Sequence, residues 1–407
     1  MTKLTSRERV LMALKHQEPD RVPIDFGATR STGINAVAYN DLKKYLGLNP
    51  ESTLLYDVKQ LLALPEQELL DWSGTDVIGL PRLAPSMGLK VDRWKPGTLP
   101  DGSPCLLPED FNPVTLDDGC EAVIHNGQVV AKRPGGGLYF DEVYAPLGDA
   151  IDEADLDRAG YPAVSDAELK YLADRARDLY ENTEYAIVGH TGISIFEKGI
   201  KDFGYEEWLV KIMTEQDLVR SYLERLTEAY LSMMDRYLDA VGRYVQVIQA
   251  NDDLGMQQGP LIPPQLYREL FKPFHQEIFR FIKKKQPGVF IFLHSCGSIY
   301  DFIPDLIEAG VDILNPVQIN AAKMHPRTLK GEFGSEITFW GGGCSTQTTL
   351  TFGSVDDVRR EVEEMMEVFK PNGGFIFNQV HNIQAGVAPE KITALFETAK
   401  GVRNYAP

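Results

Sequence analysis

The sequence is short of positive charge and of long apolar runs, and each shortage excludes a class of protein. Its 407 residues include 41 lysines and arginines against 59 aspartates and glutamates, a net charge of −18. Nucleic acid and anionic membrane surfaces are therefore not expected as partners. No apolar run approaches the roughly 20 residues that cross a bilayer, and the amino terminus lacks the apolar core of a signal peptide. We expect a soluble, cytoplasmic protein.

Cysteine is also scarce, with four residues in the whole chain. Four cysteines in a chain of this length do not form a disulfide framework, and a reducing compartment keeps their thiols available to metal. Cys105 and Cys120 lie in a turn-rich segment without the spacing of metal ligands, and we interpret both as structural. Cys296 and Cys344 stand in more informative surroundings.

The strand-like run 289–293 leads directly into His294, and Cys296 follows two residues later. Side chains two apart on an extended chain share a face, so the imidazole and the thiol are expected to enter one cavity. Cys344 follows three glycines, 341–343, which let the backbone turn so that this thiol reaches the same cavity. Nitrogen and sulfur ligands suit zinc, and three protein ligands leave one position open for chemistry. The predicted metal ligands are His294, Cys296 and Cys344; the alternative is a buried histidine with two inert thiols.

Short apolar runs, most of them followed by helix-like sequence, indicate a parallel sheet. Eight of them end in small or polar residues: 24–25, 77–79, 186–190, 245–253, 289–294, 313–315, 337–341 and 375–378. Eight such units predict an α/β fold, a closed (β/α)₈ barrel in a single domain over residues 1–407. An open, doubly wound sheet is the alternative, because periodicity does not report closure.

The helices and one insertion have their own signals. Thr5 with Glu8 forms a capping-box pattern for a first helix that runs to about His16, and Ser354 is placed to cap a helix near the carboxyl end. Long amphipathic stretches lie near 166–181, 216–241 and 264–285. Residues 97–143 read as an inserted β meander, in which Asn126 and Gly127 give a hairpin signal.

The active site of a barrel lies at the carboxyl ends of its strands, where this sequence places several chemically capable side chains. We predict proton-handling roles for His190, Asp252 and His381, and substrate binding for Asp25, Asp253, Asn315 and Asn378. Structural alternatives remain: a strand-end histidine can simply be hydrogen-bonded, Asp25 can form a turn, and the cluster 251–253 can cap the helix that follows instead of binding substrate or supporting a ligand histidine. The other histidines, His16, His125, His275 and His325, are interpreted as structural.

Several segments together resemble the uroporphyrinogen decarboxylase superfamily: 9–10 through 20–23, 252–255, 294–297, and 380–384 with 389–390. The resemblance implies a (β/α)₈ barrel with the site at its mouth. The decarboxylases proper carry an arginine-rich element near the amino terminus, but the corresponding stretch 26–33 has one arginine, Arg30. The superfamily's cobamide-dependent methyltransferases are marked by a zinc site of the form His-x-Cys followed much later by Cys, which His294, Cys296 and Cys344 match.

The resemblance therefore implies a zinc-dependent methyltransferase. Its methyl group would move between a small methylated or methoxylated compound, or a thiol, and a corrinoid (cobamide), with O-demethylation as the favoured direction. No corrinoid-binding helical domain is evident in the chain, so the corrinoid is expected on a separate carrier protein. The alternatives are a metal-free decarboxylase and a non-catalytic barrel that binds a corrinoid or another ligand.

Overall fold

The computed structural model describes residues 4–125 and 127–405. The strands are β1 Leu55–Asp57, β2 Leu62–Ala63, β3 Val77–Leu80, β4 Trp94–Thr98, β5 Pro104–Pro108, β6 Val114–Thr115, β7 Glu121–His125, β8 Gln128–Arg133, β9 Asp141–Glu142, β10 Ala186–Ile193, β11 Val247–Asn251, β12 Phe290–His294, β13 Ile313–Asn315, β14 Thr338–Trp340 and β15 Phe375–Ile376. The α-helices are α1 Ser6–Leu14, α2 Ala36–Tyr45, α3 Gln67–Ser73, α4 Asp166–Asn182, α5 Phe196–Phe203, α6 Tyr205–Thr214, α7 Gln216–Val241, α8 Pro264–Leu266, α9 Lys272–Lys285, α10 Ile303–Ala309, α11 Pro326–Phe333, α12 Thr349–Phe352, α13 Val355–Phe369 and α14 Pro389–Val402.

Seven parallel strands form one curled sheet in the order β15-β14-β13-β12-β11-β10-β3. The order follows the chain without reversal, whereas a doubly wound sheet reverses direction at a switch point. An extended segment at Ile24 stands between the two outermost strands: it bridges Phe377 beside β15, and its carbonyl accepts a hydrogen bond from the backbone N–H of Asp76 beside β3. The predicted (β/α)₈ barrel is confirmed, with seven of the eight predicted runs in the sheet and the eighth present as this bridge.

The barrel interior is packed with apolar side chains, and α1 covers its amino-terminal end. Val10 and Leu14 of α1 belong to the same buried cluster as Val77, Val188 and Phe292 from the strands. Alternate strand residues point inward, so this packing fills the lower barrel and leaves the carboxyl ends of the strands for polar groups. This arrangement favours a polar site at that mouth.

The predicted helix starts are confirmed. Thr5 and Glu8 form a complete capping box before α1, and Ser354 forms another with Asp357 before α13. The stretches predicted near 166–181 and 216–241 are α4 and α7. The third stretch is broken into α8, a π-helical turn at Tyr267–Phe271 and α9. Among the described residues, none of the helices is long and apolar enough to cross a membrane.

The segment predicted as one meander forms two small antiparallel sheets. The strands β4 and β5 make a hairpin, and β6 to β9 make a four-stranded sheet in chain order. The predicted hairpin is confirmed as β7–β8, with His125 paired to Gln128; its turn residue Asn126 lies outside the described residues. The last strand, β9, brings Glu142 to the barrel mouth, where it meets Lys59.

Candidate metal centre at the barrel mouth

The side chains of His294 and Cys296 lie against each other at the end of β12. His294 is the last residue of β12, and the parallel register sets it level with Asn251 of β11 and Asn315 of β13. The Sγ atom of Cys296 lies 3.3 Å from Nε2 of His294. The backbone N–H of Cys296 donates to Oδ1 of Asp253 over 2.7 Å, which fixes the loop just beyond the strand.

The third member of this group is His381. One ligand atom from each of His294, Cys296 and His381 lies within 4.8 Å of the other two. The two imidazole rings meet edge to face, with their centroids 5.5 Å apart. The sequence predicts a proton-handling role for His381, whereas the structure places its imidazole beside His294 and Cys296.

Cys344 is not part of this group. The sequence predicts its thiol beside Cys296, but the structure places the thiol elsewhere. Its buried Sγ atom lies 3.4 Å from Oε2 of Glu361 on α13. The carbonyl of Cys344 accepts a hydrogen bond from the N–H of Val380, which ties the backbone of Cys344 to the neighbouring loop. The preceding glycines do make a turn, with φ of 110° at Gly341 and 80° at Gly342. That turn leaves the thiol against a helix, where burial and the Glu361 carboxylate raise its pKa.

Asn315 sets the orientation of the His294 ring. Its side-chain nitrogen donates to the carbonyl of Trp340 over 2.8 Å, which fixes which end of the amide is oxygen. That oxygen accepts hydrogen bonds from the Ser31 hydroxyl at 2.7 Å and from Nδ1 of His294 at 2.8 Å. Because the proton is on Nδ1, the lone pair of Nε2 faces Cys296. Asn315, which the sequence predicts to bind substrate, instead orients the imidazole of His294.

His381 is oriented in the same way from the other side of the mouth. Its Nδ1 donates to Oδ1 of Asn382 over 3.1 Å, and the Asn382 amide in turn donates to Gln60 over 3.0 Å. Nε2 is again the ring nitrogen that remains available to bind a metal ion. Burial, together with the neighbouring His294, lowers the pKa of His381 to about 4, so the ring is neutral at physiological pH.

A cavity of about 220 Å³ opens beside the two histidines. Among the described residues it is lined by Arg30, Ser31, Asp57, Lys59, Gln60, Gly192, Ser194, Glu197, Lys201, Gln249, Asn251, Asp253, His294 and His381. Glu197 is a functional candidate that the sequence-based analysis missed. Burial, with the charges of Asp253 and Asp252, raises the pKa of its carboxyl to about 8. The only signal in the sequence is an acidic residue in the first turn of the helix after β10.

Asp252 is committed to the fold. Its buried carboxylate accepts hydrogen bonds from the N–H groups of Ile195, Phe196 and Glu197 at the start of α5, over 2.8 to 2.9 Å. It also meets Nε2 of His275 at 2.7 Å. The helix it caps, α5, precedes Asp252 in the chain, whereas the alternative drawn from the sequence is a cap on the helix that follows. Asp253 next to it faces the cavity and lies 3.7 Å from Nε2 of His294.

Three other predicted residues do not line this cavity: Asp25 and Asn378 are fully buried, and His190 lines a different cavity. Asp25 accepts hydrogen bonds from the N–H of Ala28 at 2.9 Å and from the indole of Trp340 at 2.8 Å, and burial raises its pKa to about 6. His190 donates from Nε2 to the Ala28 carbonyl over 2.7 Å, and burial lowers its pKa to about 4. The Asn378 amide donates to the carbonyl of Gln379 over 2.6 Å.

A curled parallel sheet with its polar cluster at the carboxyl ends defines a barrel enzyme, and comparison with known proteins identifies the family. The family described as "Uroporphyrinogen decarboxylase (URO-D)" matches residues 131–402. The chain belongs to this family of enzymes, which confirms the resemblance drawn from its sequence motifs.

The individual relatives are distant. A uroporphyrinogen decarboxylase from Thioalkalivibrio sulfidiphilus is 24% identical over 276 residues, 65% of this chain and 74% of the relative. One from Citrifermentans bemidjiense is 20% identical over 304 residues, 70% of this chain and 83% of the relative. The solved structure of a methyltransferase from Methanosarcina mazei superposes with a TM-score of 0.60 over 98% of this chain and 99% of that chain, at 19% identity. At this identity the likeness shows the fold.

Proposed function

We propose that the protein is a zinc-dependent methyltransferase that moves a methyl group between a small methylated compound, or a thiol, and a corrinoid carried by a partner protein. The observation that carries the proposal is the grouping of His294, Cys296 and His381 within 4.8 Å at the barrel mouth. The likeness in fold to the Methanosarcina mazei methyltransferase supports it.

The donor set fits zinc. Two imidazoles and one thiol are the nitrogen and sulfur ligands that zinc prefers, and three protein ligands leave a position for a substrate atom. Each histidine has Nδ1 engaged by an asparagine, Asn315 for His294 and Asn382 for His381, so both Nε2 atoms are available. We therefore assign His381, and not Cys344, as the third ligand. When bound there, zinc supplies a Lewis acid that stabilises negative charge on the oxygen or sulfur that loses or gains the methyl group.

The chain's own residues supply position and proton. Glu197 lines the cavity with both histidines, and its raised pKa of about 8 lets it hold a proton at neutral pH. It takes the proton-handling role for which the sequence offers His190, Asp252 and His381 as candidates. It gives its proton to the leaving heteroatom, and in the reverse reaction its carboxylate form receives the proton of an incoming thiol. Asp253 accepts a hydrogen bond from the backbone N–H of Cys296, which holds that loop, and its side chain also lines the cavity.

The named decarboxylases among the relatives keep decarboxylation as the competing function. Arg30 is the one arginine among the described residues that line the cavity, and its guanidinium is already paired with the carboxylate of Asp57. A decarboxylase of polycarboxylate substrates needs several cationic groups that converge on the substrate. The other two cations that line the cavity, Lys59 and Lys201, both contact Glu142, so each cation of this lining already has a carboxylate partner, which favours methyl transfer.

The test uses the full chain, stripped with chelator and reloaded with zinc, and reduced cobalamin in place of the partner's corrinoid. A panel of methyl ethers, methyl thioethers and methylamines is offered, and methylcobalamin is followed by its absorbance; the reverse reaction is run with methylcobalamin and thiols. We expect zinc-dependent transfer in at least one direction. Carbon dioxide release without any cobalamin alkylation or demethylation, or full activity in the stripped protein, would overturn the proposal.

A further inference from the structure

Building on the proposed function, we infer that the methyl compound taken by this site is small and anionic, with its acidic group held by Lys59 and Lys201. Neutral methyl ethers of similar size are then poor ligands. The inference concerns the side of the cavity where the inserted β sheet contacts the barrel through Glu142.

The lining of the cavity carries the first step. All its lining residues within the described ranges are charged, polar or glycine. Sites for aromatic or aliphatic ligands are lined mainly by apolar and aromatic side chains, with a few polar groups for orientation. A ligand that fills about 220 Å³ of such a cavity must satisfy these groups by hydrogen bonds and charge, since each one loses water when the ligand enters.

The two lysines carry the second step. Nζ of Lys59 lies 2.9 Å and Nζ of Lys201 lies 3.7 Å from the same carboxylate oxygen of Glu142. Two ammonium groups therefore share one carboxylate, which leaves one positive charge in excess. The side chains are 29% exposed at Lys59 and 50% exposed at Lys201, so both can reach a ligand.

The position of these lysines gives the ligand a direction. Lys59, Lys201 and Glu197 line both this cavity and an adjoining outer one that includes Glu142, so the lysines stand where the two meet. Asp253 lies 3.7 Å from Nε2 of His294 and disfavours an anion beside the metal ligands. The third cation, Arg30, is neutralised by Asp57. An anionic group is thus directed to the lysines while the methyl-bearing atom points to the metal ligands.

Glu142 belongs to β9 of the inserted sheet, so the insertion contributes to specificity. It competes with a ligand anion for the same two ammonium groups. Removal of its charge and removal of the lysines must therefore act in opposite directions on anion binding. A general loss of structure at the mouth would weaken binding in both cases.

The experiment is a calorimetric titration of the zinc-loaded full chain with two probes of similar size, methoxyacetate and 2-methoxyethanol. We expect methoxyacetate to bind at least about tenfold more tightly, which corresponds to about 1.4 kcal/mol. The Lys59→Met/Lys201→Met double variant should lose this preference, and Glu142→Gln should strengthen it. Lys284→Met removes an exposed lysine on α9 and serves as the matched charge control.

Equal binding of the two probes would overturn the inference. So would a preference that survives in the lysine double variant, because the carboxylate would then be bound elsewhere, or weaker methoxyacetate binding in Glu142→Gln. Calorimetry does not depend on turnover, so the outcome is separable from the proposed function. Selective binding without methyl transfer from any donor refutes the function alone, and transfer with equal binding of the two probes refutes the inference alone.

Discussion

Nδ1 of His294 donates a hydrogen bond to Oδ1 of Asn315 over 2.8 Å, and the Asn315 amide is itself held by the carbonyl of Trp340. This pair fixes the nitrogen that His294 presents to the cavity. Replacement of the group behind a ligand histidine typically weakens metal binding by about 10- to 100-fold. The orientation of His294 thus depends on a residue of the next strand, β13.

We predict that Asn315→Leu lowers zinc affinity by about 10- to 100-fold, measured by competition with a chromogenic chelator. Asn182→Leu, at an exposed position at the end of α4, is the control and should leave zinc affinity unchanged. Circular dichroism serves as the control that both variants are folded. Wild-type zinc affinity in a folded Asn315→Leu protein would contradict the assigned role.

The identity of the third ligand is tested by three variants. His381→Ala should lose stoichiometric zinc, as should His294→Ala, because each removes one of only three protein donors. Cys344→Ser should keep one zinc per chain, since its thiol lies against Glu361. The measurement is elemental analysis after dialysis. If zinc is lost from Cys344→Ser and retained in His381→Ala, the ligand set is His294, Cys296 and Cys344 after all.

Two adjacent aspartates should differ sharply in their effect on stability. Asp252→Asn removes a buried carboxylate that accepts from the start of α5 and meets His275, so we expect a loss of about 3 to 5 kcal/mol in the free energy of unfolding. Asp253→Asn should change stability by less than about 1 kcal/mol, because its side chain is partly exposed. Urea denaturation of both variants gives the comparison, and similar losses in the two would refute it.

The raised pKa of Glu197 predicts a pH-dependent stability in chelator-treated protein. The pKa of Glu197 is about 8 in the folded protein, against an ordinary value of 4.5, so the folded state holds more protons than the unfolded state between these two values. Stability therefore falls as pH rises through this window, at about 1.4 kcal/mol per pKa unit. Relative to wild type, Glu197→Gln should gain stability from pH 5 to pH 8. A constant difference between the two proteins across this range would show that Glu197 is ionised throughout.

Much of the fold was predictable because it depends on local sequence periodicity. The short apolar runs gave seven strands of the sheet, and Thr5 and Ser354 gave two helix starts, since capping involves residues three apart in the chain. The division of the inserted segment into two sheets was not predictable. Nothing in the pattern around residue 110 distinguishes a turn within one sheet from a passage between two.

The sequence by itself determined that the side chains of His294 and Cys296 lie together, because the two-residue period of an extended strand is a local property that continues just past the end of β12. Only the tertiary structure decided that His381 joins them while Cys344 turns to Glu361. The direction of a side chain beyond a strand end depends on loop dihedral angles and on contacts with residues far away in the chain. For the same reason, the sequence does not show that Glu197 lines the cavity or that Lys59 and Lys201 share Glu142. Both relationships depend on the folded barrel mouth.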